Sequence, residues 1–169
     1  YVFCSDEKVM QYLPESVKFK KRDQRLDGDL IKGFDIYQTF IEQVDADIYV
    51  LAHVTSPFIK VSSIENALSH VLNGDNDSAF SAEKIQTFAW YQGKPLNYCL
   101  NDVPRTQDIE PVWVETSAFF IFKKEIFTVY NQRIGLKPYI QEVSGIEAVD
   151  IDEKIDYEMA CKLAKMGEV

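Results

Sequence analysis

Apolar positions along the chain switch repeatedly between two spacings. Residues 1–4, Tyr-Val-Phe-Cys, are β-prone and run into Ser5, Asp6 and Glu7, the pattern of a strand end meeting a helix start. Residues 17–20 alternate as a second short strand. Leu30, Ile31, Phe34, Tyr37, Phe40, Ile41 and Val44 then recur at helical spacing, which predicts a helix over 30–44. Residues 48–54 form a nearly continuous apolar run, predicting a strand buried on both faces and broken by Thr55-Ser56-Pro57. Ile64, Ala67, Leu68, Val71 and Leu72 line one face of the next helix, which Ser62 or Ser63 can cap and Asn73-Gly74-Asp75 ends. Residues 77–82 read as a strand, 87–98 as a hairpin turning near Gln92-Gly93, 116–122 as an aromatic strand and 123–130 as a short helix. A final short strand is expected over 147–151, feeding a helix over 153–166.

Strands that alternate with helical segments, each followed by a polar or proline-containing loop, predict an α/β fold with an open, mostly parallel sheet covered by helices. Ligands in such folds bind at the carboxyl ends of strands, which directs attention to the loops at Asp6, 55–60, 82–84 and 150–152. The 169 residues, 46% of them hydrophobic, suffice for a single domain with its own core, expected to span 1–169. The chain opens inside a strand, so the expectation is that roughly 40 to 60 further residues, one strand, loop and helix, precede Tyr1.

Charge narrows the possible partners. With 27 acidic against 18 basic residues the net charge is -9, which repels polyanions and argues against nucleic acid or an anionic membrane surface. No apolar run approaches the roughly 20 residues that cross a bilayer and no signal peptide is visible, so a soluble, cytoplasmic protein is expected. Cys4, Cys99 and Cys161 lack paired or metal-ligand spacing, as suits reduced thiols.

Five features can carry chemistry. Asp150 and Asp152 stand two apart on a segment expected to be extended, so their side chains share a face. Together they make a carboxylate pair suited to Mg²⁺, unless Asp152 is simply the cap of the following helix. Thr55-Ser56-Pro57 offers hydroxyls and N–H groups at a strand end, or is an ordinary turn. Lys18, Lys20, Lys21, Arg22 and Arg25 form the one dense basic stretch, which also suits a solvated edge. Arg105 lies in a polar loop from which it can grip a carboxylate or phosphate, or join a surface ion pair. His53, inside an apolar run, reads as a core histidine or a strand-end substrate contact. No glycine-rich dinucleotide loop, P-loop, His/Cys metal cluster or Gly-x-Ser-x-Gly elbow is present, which removes the usual dehydrogenases, P-loop enzymes, zinc enzymes and esterases.

At these same positions the chain resembles the acylneuraminate cytidylyltransferases, the CMP-sialic acid synthetases, with CMP-Kdo synthetases as more distant cousins. Residues 2–6, Val-Phe-Cys-Ser-Asp, look like the family's second strand, and 22–29 look like its Arg-Pro-...-Leu-x-x-Asp segment. Residues 52–59, Ala-His-Val-Thr-Ser-Pro-Phe-Ile, are similar to its Leu-Gln-Pro-Thr-Ser-Pro-Leu-Arg. Residues 77–81 match Asp-Ser-Val-Val-Ser, 104–107 match Pro-Arg-Gln-Gln, and 150–152 match the Asp-Ile-Asp used for metal.

The resemblance implies a Rossmann-like fold of the nucleotide-diphospho-sugar transferase type. It also implies a reaction of CTP with an acidic sugar, a sialic acid or related nonulosonate, giving CMP-sugar and pyrophosphate with Mg²⁺. In this scheme Asp150 and Asp152 hold the metal, Arg105 meets an anionic group, and His53, Thr55, Ser56, Gln107, Arg22 and Asp29 contact substrate. A homodimer is implied, with Trp113, Phe119, Phe120, Phe127, Tyr130 and Tyr139 available to its interface or to the monomer core. The family's first strand and nucleotide loop have no counterpart in the 169 residues, so these residues alone are not expected to be a competent enzyme. The hallmark Gln and Arg are His53 and Ile59 here, with Lys60 the nearest cation, and the family's late Asn-Gly is Thr116-Ser117. Competing readings are a non-catalytic nucleotide- or sugar-binding relative and a metal-dependent glycosyltransferase.

Overall fold

The two apolar segments that open the chain pair with one another: β1 (Val2–Cys4) lies parallel to β2 (Phe19–Lys21), with Val2 opposite Phe19 and Cys4 opposite Lys21. The computed structural model describes residues 1–167 and divides into an N-terminal unit, Tyr1–Ala46, and a larger one beginning at Asp47. In the first unit the helix α1 (Gly33–Ile41) sets the Phe40 ring against Tyr1 at 5.7 Å and Phe3 at 5.4 Å. It is shorter than the periodicity predicts, because Lys32 is its N-cap and Leu30, 95% exposed, falls before it. The expected helix start after Ser5 is a 3-10 turn, Glu7–Tyr12, capped by Asp6, whose Oδ1 accepts from Lys8 N–H at 2.9 Å.

The larger unit is built on a four-stranded sheet in the order β3 (Ile48–Ala52), β7 (Val112–Lys123), β4 (Ser78–Ile85), β8 (Pro138–Glu142). β3, β4 and β8 run the same way and β7 runs against them. The apolar run that is buried on both faces belongs to β7, where Ala118, Phe119, Phe120 and Ile121 are wholly inaccessible and Phe122 is nearly so. β3 corrects the expectation of a doubly buried strand: it is an edge of this sheet and leaves Val50 44% exposed. An apolar run reports burial on average but not which of two such runs takes the centre.

Alternation along β7 divides its side chains between two faces. On one, α2 (Val61–Leu72) sets Ala67 and Val71 into a core with Ala79, Phe119 and Ile121. On the other, Phe122 stacks with Tyr49 at 5.9 Å and with Phe127 of α3 (Lys124–Tyr130) at 6.0 Å. Phe119, Phe120 and Phe127 are therefore core residues and not interface residues, whereas Tyr130 is exposed.

β4 and β7 slip register between Phe80 and Ala82, where β7 carries extra residues around Ser117. Ser117 takes a left-handed φ of 57°, which the glycine of the resembled Asn-Gly would adopt more readily. Buried Ser81 stitches the irregularity together, its Oγ accepting from Thr116 Oγ1 at 2.9 Å and from Phe119 N–H at 3.2 Å. The predicted hairpin is present as β5 (Trp90–Tyr91) and β6 (Lys94–Pro95), with Gln92 and Gly93 both at positive φ, the turn that matches strand twist.

The C-terminal quarter departs most from expectation. β8 lies outside the elements expected from the pattern, because it is short and begins with a proline, as an edge strand tolerates. The strand expected over 147–151 is instead a 3-10 turn, Gly145–Ala148, followed by an extended segment. Its one ladder-like bond runs from Ile151 N–H to Thr55 O at 2.9 Å. Neither Ser62 nor Ser63 caps α2: the N-cap is Lys60, whose N–H donates to buried Glu147 Oε1 at 3.2 Å. Asp152 does not cap α4 (Lys154–Met166) either, since Glu153 is its N-cap and Asp156 Oδ2 accepts from Asp152 N–H at 3.2 Å and Glu153 N–H at 2.8 Å.

Candidate functional site

Past the carboxyl end of β3 the chain keeps one more ladder bond, His53 N–H to Ala118 O at 2.9 Å, and then turns at Val54 and Thr55, with Ser56 N–H closing the turn on His53 O at 3.3 Å. The turn is docked onto the segment before α4. Ile151 N–H donates both to Thr55 O and, at 3.1 Å, to Asp150 Oδ1, which also accepts from Ser56 Oγ at 3.4 Å. Ser56 is only 3% exposed, so its hydroxyl is held on the carboxylate and not on water. Glu147 supports the arrangement from below, binding the Lys60 N–H and lying 3.6 Å from Lys60 Nζ. Three residues singled out from sequence, Thr55, Ser56 and Asp150, are thus brought together across a separation of 94 positions.

His53 joins them electrostatically. Burial lowers its pKa below the ordinary 6.5, the Arg133 guanidinium lowers it further, and the Asp150 carboxylate acts in the opposite direction. The imidazole is therefore neutral at pH 7, able to donate through one ring nitrogen and accept through the other. Its ring lies 6.0 Å from Phe120, over which the Arg133 guanidinium also sits, with Cζ 3.8 Å from the ring centroid. Arg133 was not marked from sequence. It is an isolated cation in the Asn-Gln-Arg-Ile-Gly stretch after α3, and only the packing of β7 carries it toward His53. Glu147 escaped notice for the same reason, as one acid among many.

Of the other expected site residues, Arg105 and Arg22 pair with nearby acids. Asp152 is exposed, two residues beyond Asp150. Among the described residues no group of three or more His, Cys, Asp or Glu side chains is placed to hold a metal ion. Two carboxylates are nevertheless the hard oxygen donors that Mg²⁺ takes, and the ion commonly completes its shell with phosphate oxygens and water. Arg105 is exposed and forms a bidentate pair with Asp108, Nε to Oδ2 at 2.7 Å and Nη2 to Oδ1 at 3.0 Å. Gln107 lies in the adjacent 3-10 turn, Thr106–Asp108, which Gln86 Nε2 fastens by bonds to Thr106 O at 2.9 Å and Ile109 O at 2.7 Å. In the N-terminal unit Arg22 Nη2 binds Asp27 Oδ1 at 2.7 Å, and Asp29 follows exposed Gly28. The Asp27 carboxyl is held below its ordinary range by a hydrogen bond from Ser5 and by Arg22.

Comparison with known proteins gives this architecture a context. It has the fold of nucleotidyltransferases of the Rossmann-like nucleotide-sugar type. A synthetase of CMP:2-keto-3-deoxy-manno-octonic acid, solved in complex with CTP, superposes with a TM-score of 0.69 at 16% identity, over 98% of this chain and 80% of that one. The 4-diphosphocytidyl-2C-methyl-D-erythritol synthase of Anaerococcus prevotii gives a TM-score of 0.59 at 8% identity, over 94% of this chain and 75% of that one. In sequence the chain is similar to the N-acylneuraminate cytidylyltransferases of Streptococcus agalactiae. It is 23% identical over 155 residues to that of serotype III and 23% over 153 residues to that of serotype V, covering 86% of this chain each time. It spans 37% of the length of these curated relatives. No family model matches.

Proposed function

We propose that the protein is a CTP-dependent sugar cytidylyltransferase that activates an acidic sugar, a sialic acid or related nonulosonate, to its CMP derivative. The observation that carries this reading is the docking of Thr55-Ser56 onto Asp150-Ile151. It sets hydroxyls and a carboxylate at the carboxyl end of a sheet strand, where open α/β folds bind ligands, in a fold shared with a CTP-bound synthetase. In the reaction the sugar's anomeric hydroxyl attacks the α-phosphorus of CTP; a new P–O bond forms as the hydroxyl loses its proton to solvent, the bond to the β-phosphate oxygen breaks, and pyrophosphate leaves. Asp150 and Asp152 are the residues that would hold Mg²⁺, which when bound neutralises phosphate oxygens. Neutral His53 and the Thr55 and Ser56 hydroxyls orient the acceptor. Arg105 and Gln107 approach an anionic group from their loop, with Asp108 as the partner that a substrate anion displaces.

The 169 residues are read as one transferase domain of a cytoplasmic homodimer. No helix among the described residues is long and apolar enough to cross a membrane. The exposed apolar residues Trp90, Tyr91, Leu96 and Trp113 supply an interface core in place of the buried phenylalanines. Light scattering of the full-length protein at micromolar concentration is expected to give twice the monomer mass, and a Trp90→Glu variant the monomer mass; a monomeric wild type removes the dimer.

The deciding experiment for the reaction is pyrophosphate release from CTP by the full-length protein, offered a panel of acidic sugars with Mg²⁺. Release that depends on one of the sugars is the expected result. CTP binding without release from any sugar would instead identify a non-catalytic relative.

A further inference from the structure

The loop at 131–137, between α3 and β8, is fixed at both ends. Asn131 closes α3 in a left-handed conformation with φ of 53°, and Gln132 N–H donates to Ile126 O at 3.2 Å. At the far end Gly135 N–H donates to Ser78 Oγ at 2.8 Å, and Asp77 Oδ2 accepts from Leu136 N–H at 2.8 Å and Lys137 N–H at 3.0 Å. What this braced loop presents is Arg133. Its side chain is 27% exposed, its guanidinium is 3.8 Å from the Phe120 centroid, and its ion pair with Glu115 Oε2 is long, at 3.8 Å. Phe120 is inaccessible to solvent and its ring centroid also lies 6.0 Å from that of His53, so guanidinium and imidazole both border one aromatic ring.

A planar guanidinium stacked on a ring keeps its edge for a bidentate partner, and its orientation is set before the ligand arrives. Glu115 holds it too loosely to be the partner for which this geometry is made. We propose that Arg133 is the residue that recognises the acid group of the acceptor sugar, its guanidinium edge receiving the carboxylate while Phe120 and His53 form the floor and wall of the subsite. A single fork of donors over an apolar floor fits one planar mono-anion. A triphosphate spreads its charge over several oxygens and calls for several cations or a metal. The inference rests on the cytidylyltransferase reading, and it adds the residue that selects acidic over neutral acceptors.

The test is steady-state pyrophosphate release by the full-length enzyme, comparing wild type with Arg133→Gln and Arg133→Lys. The acceptors are the best acidic sugar and the same sugar with its carboxyl reduced to an alcohol. Arg133→Gln is expected to raise KM for the acidic sugar on the order of 30-fold, the loss of a charge-assisted pair, with KM for CTP and kcat changed by no more than about twofold. Arg133→Lys, which keeps the charge and loses the fork, is expected in between and decides the question if the Gln variant does not fold. Wild type and variants should use the reduced sugar equally. An unchanged KM for the acidic sugar, or a rise confined to CTP, overturns the assignment of Arg133 alone. A wild type that releases no pyrophosphate with any sugar overturns the transferase reading and this inference with it.

Discussion

Replacing Asp150 by Asn in the full-length protein is expected to lower pyrophosphate release on the order of 10²–10³-fold while leaving the fold intact. Asn keeps the shape of Asp and an acceptor oxygen at the same place, so the bonds from Ser56 Oγ and Ile151 N–H survive. The lost quantity is the negative charge, which is what a divalent ion requires and what opposes Arg133 in the field at His53. The thermal midpoint should therefore stay within a degree or two of wild type, about what a preserved hydrogen-bond set implies, with activity failing even at saturating Mg²⁺. Asp152→Asn separates the two roles considered for that residue. Because Glu153 and not Asp152 is the N-cap of α4, and Asp156 Oδ2 binds the N–H groups of both, Asp152→Asn should cost no stability, and a loss of about 1 kcal/mol should follow Asp156→Ala, which breaks the capping box, instead. Wild-type turnover by Asp150→Asn would remove the metal assignment and the main link between this site and phosphoryl transfer.

The features legible in the sequence are those that local chemistry decides. Gly93 marks its hairpin because glycine takes positive φ freely, and Gln92 follows it into that region. The helical spacing of Ala67 and Val71 marks the face that α2 buries. Thr55, Ser56 and Asp150 were marked by residue type and place, and they meet. What the sequence hid is decided by long-range pairing. β7 takes the centre of the sheet over an equally apolar β3 because β3 and β4 both find their partners along it. β8 hides behind Pro138, which an edge strand accepts at its first residue. Arg133 gained its setting from Phe120, 13 positions earlier, and no spacing rule connects a loop cation to a strand-centre ring. The helix starts differ for a related reason: the N–H of each N-cap residue, Lys60 and Glu153, is bound by an acid that local spacing alone does not single out, Glu147 and Asp156.

Gly135→Ala is expected to destabilise the protein by about 3 kcal/mol, the sum of an overpacked contact and the hydrogen bonds it displaces. Gly135 is not at positive φ, so alanine meets no backbone penalty there. The obstacle is Asp77: a Cβ at 135 would lie 2.5 Å from its carboxyl carbon and both oxygens. Asp77 cannot swing away without releasing the N–H groups of Leu136 and Lys137, and those bonds matter to its charge state as well. Burial pushes the Asp77 carboxyl up, but hydrogen bonds from Ser78, Lys137 and Leu136 outweigh it and hold the group below its ordinary 3.8. Folding therefore binds the ionised form preferentially. The stabilisation is complete above the unfolded value and is lost as pH falls through the lowered one, so the difference between wild type and Asp77→Ala should shrink in acid below pH 3.8. The pair of substitutions then makes a sharp test. With Asp77 already removed, Gly135→Ala has nothing to strike and should be neutral, or stabilising by about 0.5 kcal/mol through the less flexible unfolded chain. Denaturant melts of the two single variants and the double variant measure this coupling. Additive losses would mean that Gly135 is confined by something other than Asp77, and that the loop carrying Arg133 is braced in a different way.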